Sequence, residues 1–205
     1  MPLIDQAQQD RISAAITAAE ARTSGEIVAV IAPESASYLS VPFMIAALLA
    51  LLVPWPFIHF TWMTVQSIYL IQLVAFAALV LALLPRPIRF RLVPRSILDT
   101  RAHRRAVEQF LSHNLDTTVG RTGVLIFVSV AERYAEIIAD DGLNGKVPKG
   151  AWQAIVEDMT ASIGAGEPET GLTRAIERVG TILAEHAPGD GTSPRRLPDH
   201  LVVLE

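Results

Sequence analysis

The chain has 205 residues, with 17 lysines and arginines against 21 aspartates and glutamates, and it contains no cysteine. The net charge of −4 argues against a general nucleic-acid-binding protein, and the missing cysteines exclude disulfides, thiol catalysis and cysteine-ligated metals. The mean hydropathy of +0.37 is high for a soluble chain, so the apolar segments are the features to explain.

The N-terminal segment predicts a helix followed by a strand. Asp5 and Gln8 have the spacing of a capping box, and apolar residues then recur at helical spacing. The segment Glu26–Ala32 is short and rich in β-branched residues, which is typical of a buried strand.

Two apolar runs, Val41–Phe60 and Val65–Leu84, contain no Asp, Glu, Lys or Arg. Each is about as long as the roughly 20 residues that a helix needs to cross a bilayer. Only four residues separate the runs, which predicts a transmembrane helical hairpin, and Pro54 and Pro56 are expected to kink or end its first helix. Two alternatives to a membrane-spanning hairpin are a hairpin buried in the core of a soluble protein and a hairpin covered in a soluble dimer.

The residues that flank the hairpin predict its orientation. No lysine or arginine lies at the tip, where Trp55 and Trp62 are expected at the far membrane interface. The second run is followed by a basic flank, whose residues nearest the membrane are Arg86, Arg89, Arg91 and Arg95. Because such residues stay in the cytoplasm and attract anionic lipids, we expect a bilayer partner and cytoplasmic termini. A nucleic-acid patch is the alternative that the negative net charge disfavours.

The rest of the chain predicts a helix, two strands and two more helices. Asp99 is the expected N-cap of the first helix, and strands at Val124–Val130 and Tyr134–Ala139 resemble an antiparallel hairpin. Residues 140–145 are expected to form a loop, and two helices with apolar faces follow. Residues 189–198 resemble a linker, and Leu201–Leu204 are a candidate edge strand.

This order of elements predicts an α/β fold, in which helices cover a small mixed sheet. Neither polar part has enough elements to fold alone, so we interpret the hairpin as an insertion into one domain. The predicted domain joins residues 1–36 to residues 97–188, the hairpin and its basic flank occupy residues 37–96, and residues 189–205 form a C-terminal tail.

Several segments resemble the TPM domain. They are Ala19–Ile27, Arg121–Ser129 with Ala131–Tyr134, Ala139-Asp140, Gly171–Pro188 and Leu197–Asp199. The similarity is greatest to a bacterial branch with a membrane insertion after the first strand, and it implies the TPM α/β fold. Some relatives in this family have been described as acid phosphatases or as calcium binders.

No established catalytic motif stands out, and the five histidines are dispersed. The strand directions place four acidic residues at one edge of the sheet, distal to the membrane: Glu26, Asp116, Asp140 and Asp141. Clustered carboxylates are ligands for Ca²⁺ or Mg²⁺, which makes this edge a candidate metal site, and no other cofactor is predicted. The alternative is a set of exposed turn residues, with Asp-Gly present for its backbone conformation.

The predicted function is a non-catalytic binding or accessory module for other membrane or envelope proteins, at the cytoplasmic face of an inner membrane. The turn at Glu132-Arg133, at the opposite edge of the sheet, is expected to contact lipid or a partner. The alternative function, which the resemblance implies, is a metal-assisted phosphatase-like hydrolase.

Overall fold

A computed structural model describes residues 4–118, 120–148, 150–189 and 201–204. The helices are α1 (Gln6–Glu20), α2 (Ser40–Leu52), α3 (Pro54–Phe60), α4 (Val65–Leu83), α5 (Arg86–Leu92), α6 (Arg95–Ser112), α7 (Asp141–Asn144), α8 (Ala151–Gly164) and α9 (Pro168–His186). The strands are β1 (Glu26–Ala32), β2 (Gly123–Ser129), β3 (Tyr134–Ala139) and β4 (Leu201–Val203). The chain divides into two compact units, one of Met1–Ser35 with Asp99–Glu205 and one of Ala36–Leu98, so the division falls inside α6.

The first unit contains a mixed sheet with strand order β3-β2-β1-β4. Strand β1 is parallel to β2 and to β4, whereas β2 and β3 form the predicted antiparallel hairpin. The short edge strand that was predicted at the C-terminus is confirmed as β4. The predicted linker at 189–198 lies outside the described residues, except for Gly189.

Helices cover both faces of this sheet. Ile27, Ala29 and Ile31 of β1 belong to a core with α1, α8 and α9, and the alternate residues of β1 pack with Ala106 and Phe110 of α6. Because β1 is buried on both faces, its sequence is a continuous apolar run rather than an alternating one. The predicted α/β fold is confirmed.

Helices α1 and α9 pack closely against each other on one face of the sheet. A Cβ atom at Gly180 would lie 2.6 Å from the Cβ of Ala19, so the contact requires glycine there. Arg11 of α1 pairs with Glu169 of α9, and Gln8 Nε2 also donates to Glu169, at 3.0 Å. The predicted capping box of α1 is present, because the Asp5 carboxylate accepts from the Gln8 backbone N–H at 2.7 Å.

The second unit contains two apolar helical segments. Ser40–Phe60, which comprises α2 and α3, and Val65–Leu83, which is α4, are long enough and apolar enough to cross a membrane. Val53 lies between α2 and α3, directly before the predicted break at Pro54. The apolar side chains of these helices face outward, since Leu51 is 67% and Leu81 70% exposed.

A small core closes the base of the hairpin within this unit. Tyr38, which precedes α2, is buried with Val93 and Leu98, which follow α4. The rings of Tyr38 and Phe90 meet edge to face, with centroids 5.3 Å apart. These contacts hold the two ends of the hairpin together.

Two predictions about the segment after α4 need correction. The sequence pattern indicated only a basic flank there, yet Arg86–Leu92 forms helix α5, with Pro87 in its first turn, where proline is tolerated. Asp99 is not an N-cap, because α6 begins at Arg95. The Pro94 carbonyl accepts from the backbone N–H groups of Ile97 and Leu98, so the helix starts one turn earlier than predicted.

Candidate functional site

The four candidate carboxylates lie at the same end of the sheet. Glu26 begins β1 and is paired in register with Gly123 at the start of β2. Asp140 directly follows β3, and its backbone N–H donates to the Gly123 carbonyl at 3.0 Å. Asp116 belongs to a 3-10 turn, Leu115–Thr117, which comes shortly before β2.

Arg121 links two of these carboxylates. Its Nη2 and Nε atoms lie 2.8 and 3.3 Å from the two oxygens of Asp140, and its Nη1 lies 3.2 Å from Asp141. The Asp140 carboxylate is buried and also accepts from the backbone N–H of Asp141 at 2.7 Å. The hydrogen bond to Asp140 is the main reason that the pKa of Arg121 is raised. The sequence pattern does not identify this arginine as a site residue, because it lies 19 residues before its main partner.

The segment 140–142 is not the loop that was predicted. Asp140 caps the short helix α7, and the backbone N–H of Gly142 donates to the Arg121 carbonyl at 3.0 Å. A Cβ atom at Gly142 would lie 2.1 Å from the Gly120 carbonyl oxygen. Glycine is therefore required by a close approach between two backbone segments, and not by a positive φ as in the turn interpretation.

The metal assignment of this edge stays a prediction. In the described part of the chain, no group of three or more His, Asp or Glu side chains is placed to hold a metal ion. The Asp140 carboxylate already accepts hydrogen bonds from a guanidinium and a backbone N–H, so a cation would have to compete with Arg121 for it.

At the opposite end of the sheet, Glu132 is buried. The expectation that it contacts lipid or a partner is therefore wrong. Its carboxylate accepts from the backbone N–H of Ser35 at 2.8 Å and from the Ser129 hydroxyl at 2.5 Å. These bonds join the residues after β1 to the turn between β2 and β3. Arg133, the next residue, is exposed and has a φ of 51°.

A third polar cluster, which the sequence pattern does not predict, lies between α6 and β3. His103 Nδ1 is 2.9 Å from Glu136 Oε1, and the Tyr134 hydroxyl donates to Glu136 Oε2 at 3.0 Å. Burial raises the pKa of Tyr134, and the negative charge of Glu136 raises it further. The sequence does contain one indication of this cluster. Side chains alternate along a strand, so Tyr134 and Glu136 lie on the same face of β3.

The predicted membrane-interface residues belong to the second unit and differ in exposure. Trp55 is 64% exposed, and Trp62 is fully exposed. The exposed arginines of the basic flank are Arg86, Arg91 and Arg95. Arg89 is buried, so it contributes to the interior of this unit and not to its surface.

Comparison with protein families matches residues 88–182 to the TPM domain. The chain is also similar to a solved structure, the NMR structure of the BA42 protein from the psychrophilic bacterium Bizionia argentinensis. The TM-score is 0.61 at 19% sequence identity, and the match covers 98% of this chain and 95% of the other. At this identity the likeness shows the fold alone. The comparison with curated proteins found no match.

Proposed function

From the match of residues 88–182 to the TPM domain, we propose that this chain is a membrane-anchored, non-catalytic binding module of the TPM domain family. In this proposal the hairpin crosses the inner membrane, and the α/β unit binds other membrane or envelope proteins at the cytoplasmic face.

The outward-facing apolar surface of α2, α3 and α4 is the observation that carries the proposal. Large apolar side chains are exposed along these helices, and neither predicted membrane run contains an ionisable Asp, Glu, Lys or Arg. A soluble monomer rarely exposes a continuous apolar surface of this kind, whereas a bilayer covers it. Extraction of native membranes with alkaline carbonate should leave the full chain in the pellet, and its release would contradict the proposal.

The arginines after α4 support the cytoplasmic orientation. The hairpin tip, residues 61–64, carries no charge, whereas Arg86, Arg91 and Arg95 follow the second apolar segment within about a dozen residues. An excess of arginine and lysine beside a membrane segment retains that side in the cytoplasm.

The hydrogen bonds of the polar clusters support binding rather than catalysis. Asp140 is held by Arg121, and Glu132 is held by Ser35 and Ser129 inside the domain. These carboxylates stabilise loops and turns, which keeps the surface of the α/β unit in a fixed shape.

The alternative, a metal-assisted phosphatase-like hydrolase, can be tested on the full chain in lipid nanodiscs. We expect no phosphoester hydrolysis that requires Ca²⁺ or Mg²⁺ and the Asp141 carboxylate. Asp141 is suitable for the test because its side chain is exposed and the cap of α7 is Asp140. Asp141→Ala and the exposed control Glu185→Ala should therefore behave like the parent chain. Cation-dependent turnover that Asp141→Ala abolishes and Glu185→Ala leaves intact would replace our proposal with the alternative.

A photoreactive residue in place of exposed Gln153 tests the binding role directly. Irradiation of native membranes should give a discrete adduct with a membrane or envelope protein. The adduct should decrease when unlabelled chain competes for the partner. If residues exposed on α1, α8 and α9 all fail to give a competable adduct, the binding role is contradicted.

A further inference from the structure

Helix α5 separates its arginines into two groups with different environments. Arg89 is buried beside the small core at the base of the hairpin, and its guanidinium lies 5.4 Å from the ring centroid of Phe90. Arg86 and Arg91 are exposed, as is Ile88 between them. We use the term outer face of α5 for Arg86, Ile88 and Arg91.

The formal charges of the unit that contains α5 are all positive. Residues 36–98 include four arginines and no lysine, aspartate or glutamate. The other residues carry 13 basic and 21 acidic groups, a net charge of −8. The net charge is therefore positive only in the unit that contains the apolar helices.

The position of α5 along the chain matches the depth of lipid headgroups. Helix α4 ends at Leu83, and α5 begins at Arg86, only three residues later. If α4 crosses the bilayer, Arg86 follows the end of the hydrocarbon layer by about 5 Å, at a rise of ~1.5 Å per residue. Exposed Ile88 offers an apolar contact at the same level, in the manner of an interfacial helix.

From these observations we infer that the outer face of α5 binds the headgroups of anionic phospholipids. This inference rests on the proposed function, because it requires that the hairpin lie in a bilayer. Arg86 and Arg91 contact lipid phosphates, whereas Arg89 takes part in the packing of the hairpin base. The membrane contact thereby becomes selective for anionic lipid.

Native mass spectrometry of the full chain, in detergent with added phosphatidylglycerol or phosphatidylcholine, tests this assignment. The parent chain should prefer phosphatidylglycerol. One arginine near an anionic surface raises affinity about fivefold, so Arg86→Gln with Arg91→Gln should lower that preference by about 25-fold at low ionic strength. Arg86→Lys with Arg91→Lys retains the charge and should retain the preference.

Arg104→Gln is the matched control, because Arg104 is an exposed arginine of α6 whose Nε lies 3.6 Å from Glu108. It should leave the lipid preference unchanged. The inference would be overturned if the parent chain showed no lipid preference or if the double glutamine variant kept that preference. An equal loss of preference in Arg104→Gln would overturn it too.

Carbonate extraction separates the two proposals. Retention of the chain without lipid selectivity contradicts only this inference, and release from the membrane contradicts the proposed function as well.

Discussion

Gly142 shows how one residue determines the local packing at the carboxylate edge. Its backbone lies against the Gly120 and Arg121 carbonyls, where a Cβ atom would be 2.1 and 2.4 Å from the two oxygens. We predict that Gly142→Ala destabilises the fold by about 2 kcal/mol, since backbone atoms must move to admit the methyl group. Gly145→Ala is the matched control, because no atom lies within 4 Å of a Cβ at that position. Thermal unfolding followed by circular dichroism should show a lower Tm for the first variant only, and equal Tm values would contradict the close approach.

Glu132 is predicted to contribute to stability rather than to surface binding. Glu132→Ala removes the acceptor for the Ser35 N–H and the Ser129 hydroxyl, and we expect a loss of about 3 kcal/mol because both donors lose a charged partner. Glu132→Gln retains one carbonyl acceptor and should cost less. Chemical denaturation of the purified full chain measures both, with the exposed Glu185→Ala as reference. A stable Glu132→Ala chain would restore the expectation that this residue contacts lipid or a partner.

At this scale the sequence pattern identified acidic residues more readily than their partners. Asp140 and Asp141 stand out as neighbouring carboxylates, but Arg121 becomes their partner only when the β2–β3 hairpin returns the chain to the start of β2. Likewise, nothing local distinguishes buried Glu132 from exposed Arg133 in the same turn. Whether a turn residue is buried depends on the segments that pack against it. For Glu132 one such residue is Ser35, which lies 97 residues away in the sequence and is not part of the local pattern.

At the scale of elements, the ion pair between α1 and α9 predicts a pH dependence. The hydrogen bond from Arg11 lowers the pKa of Glu169 below its usual value of 4.5. Because the folded-state pKa is the lower one, the pair stabilises the fold above about pH 4.5 and loses this effect as pH falls through the folded-state value. The Tm of Glu169→Gln should thus be lower than that of the parent at pH 7, and the gap should shrink as the pH falls below 4.5. Arg11→Gln combined with Glu169→Gln should resemble either single variant, and a gap that stays constant with pH would contradict the assignment.

Most helices and strands could be predicted from local patterns, because the core imposes clear periods on them. The bounds of β1 and β3 agree with the prediction, as both are short segments with β-branched or aromatic residues. Helix α5 could not be predicted in this way, because Pro85 and Pro87 at its start are typical of a loop and three of its seven residues are arginines. Phe90 of α5 packs against the small core that contains Tyr38, and Tyr38 precedes the hairpin in the sequence.

At the scale of the whole molecule, the sequence and the structure agree on an α/β unit with an apolar helical hairpin between β1 and α6. Length and composition sufficed to predict the hairpin, because a bilayer requires a continuous apolar run that few other environments favour. The cytoplasmic side that we propose for the α/β unit rests on the arginines alone, and it determines which partners the proposal allows.

Labelling of single-cysteine variants with a membrane-impermeant thiol reagent tests this central claim most directly, since the chain has no cysteine of its own. Suitable exposed positions are Thr61 at the hairpin tip, Ala14 in α1 and Gln153 in α8. In intact bacteria that express the chain, we predict that Thr61→Cys is labelled, whereas Ala14→Cys and Gln153→Cys react only after the membrane is permeabilised. Labelling of Ala14→Cys and Gln153→Cys in intact cells, with Thr61→Cys protected, would contradict the cytoplasmic placement that we propose for the α/β unit.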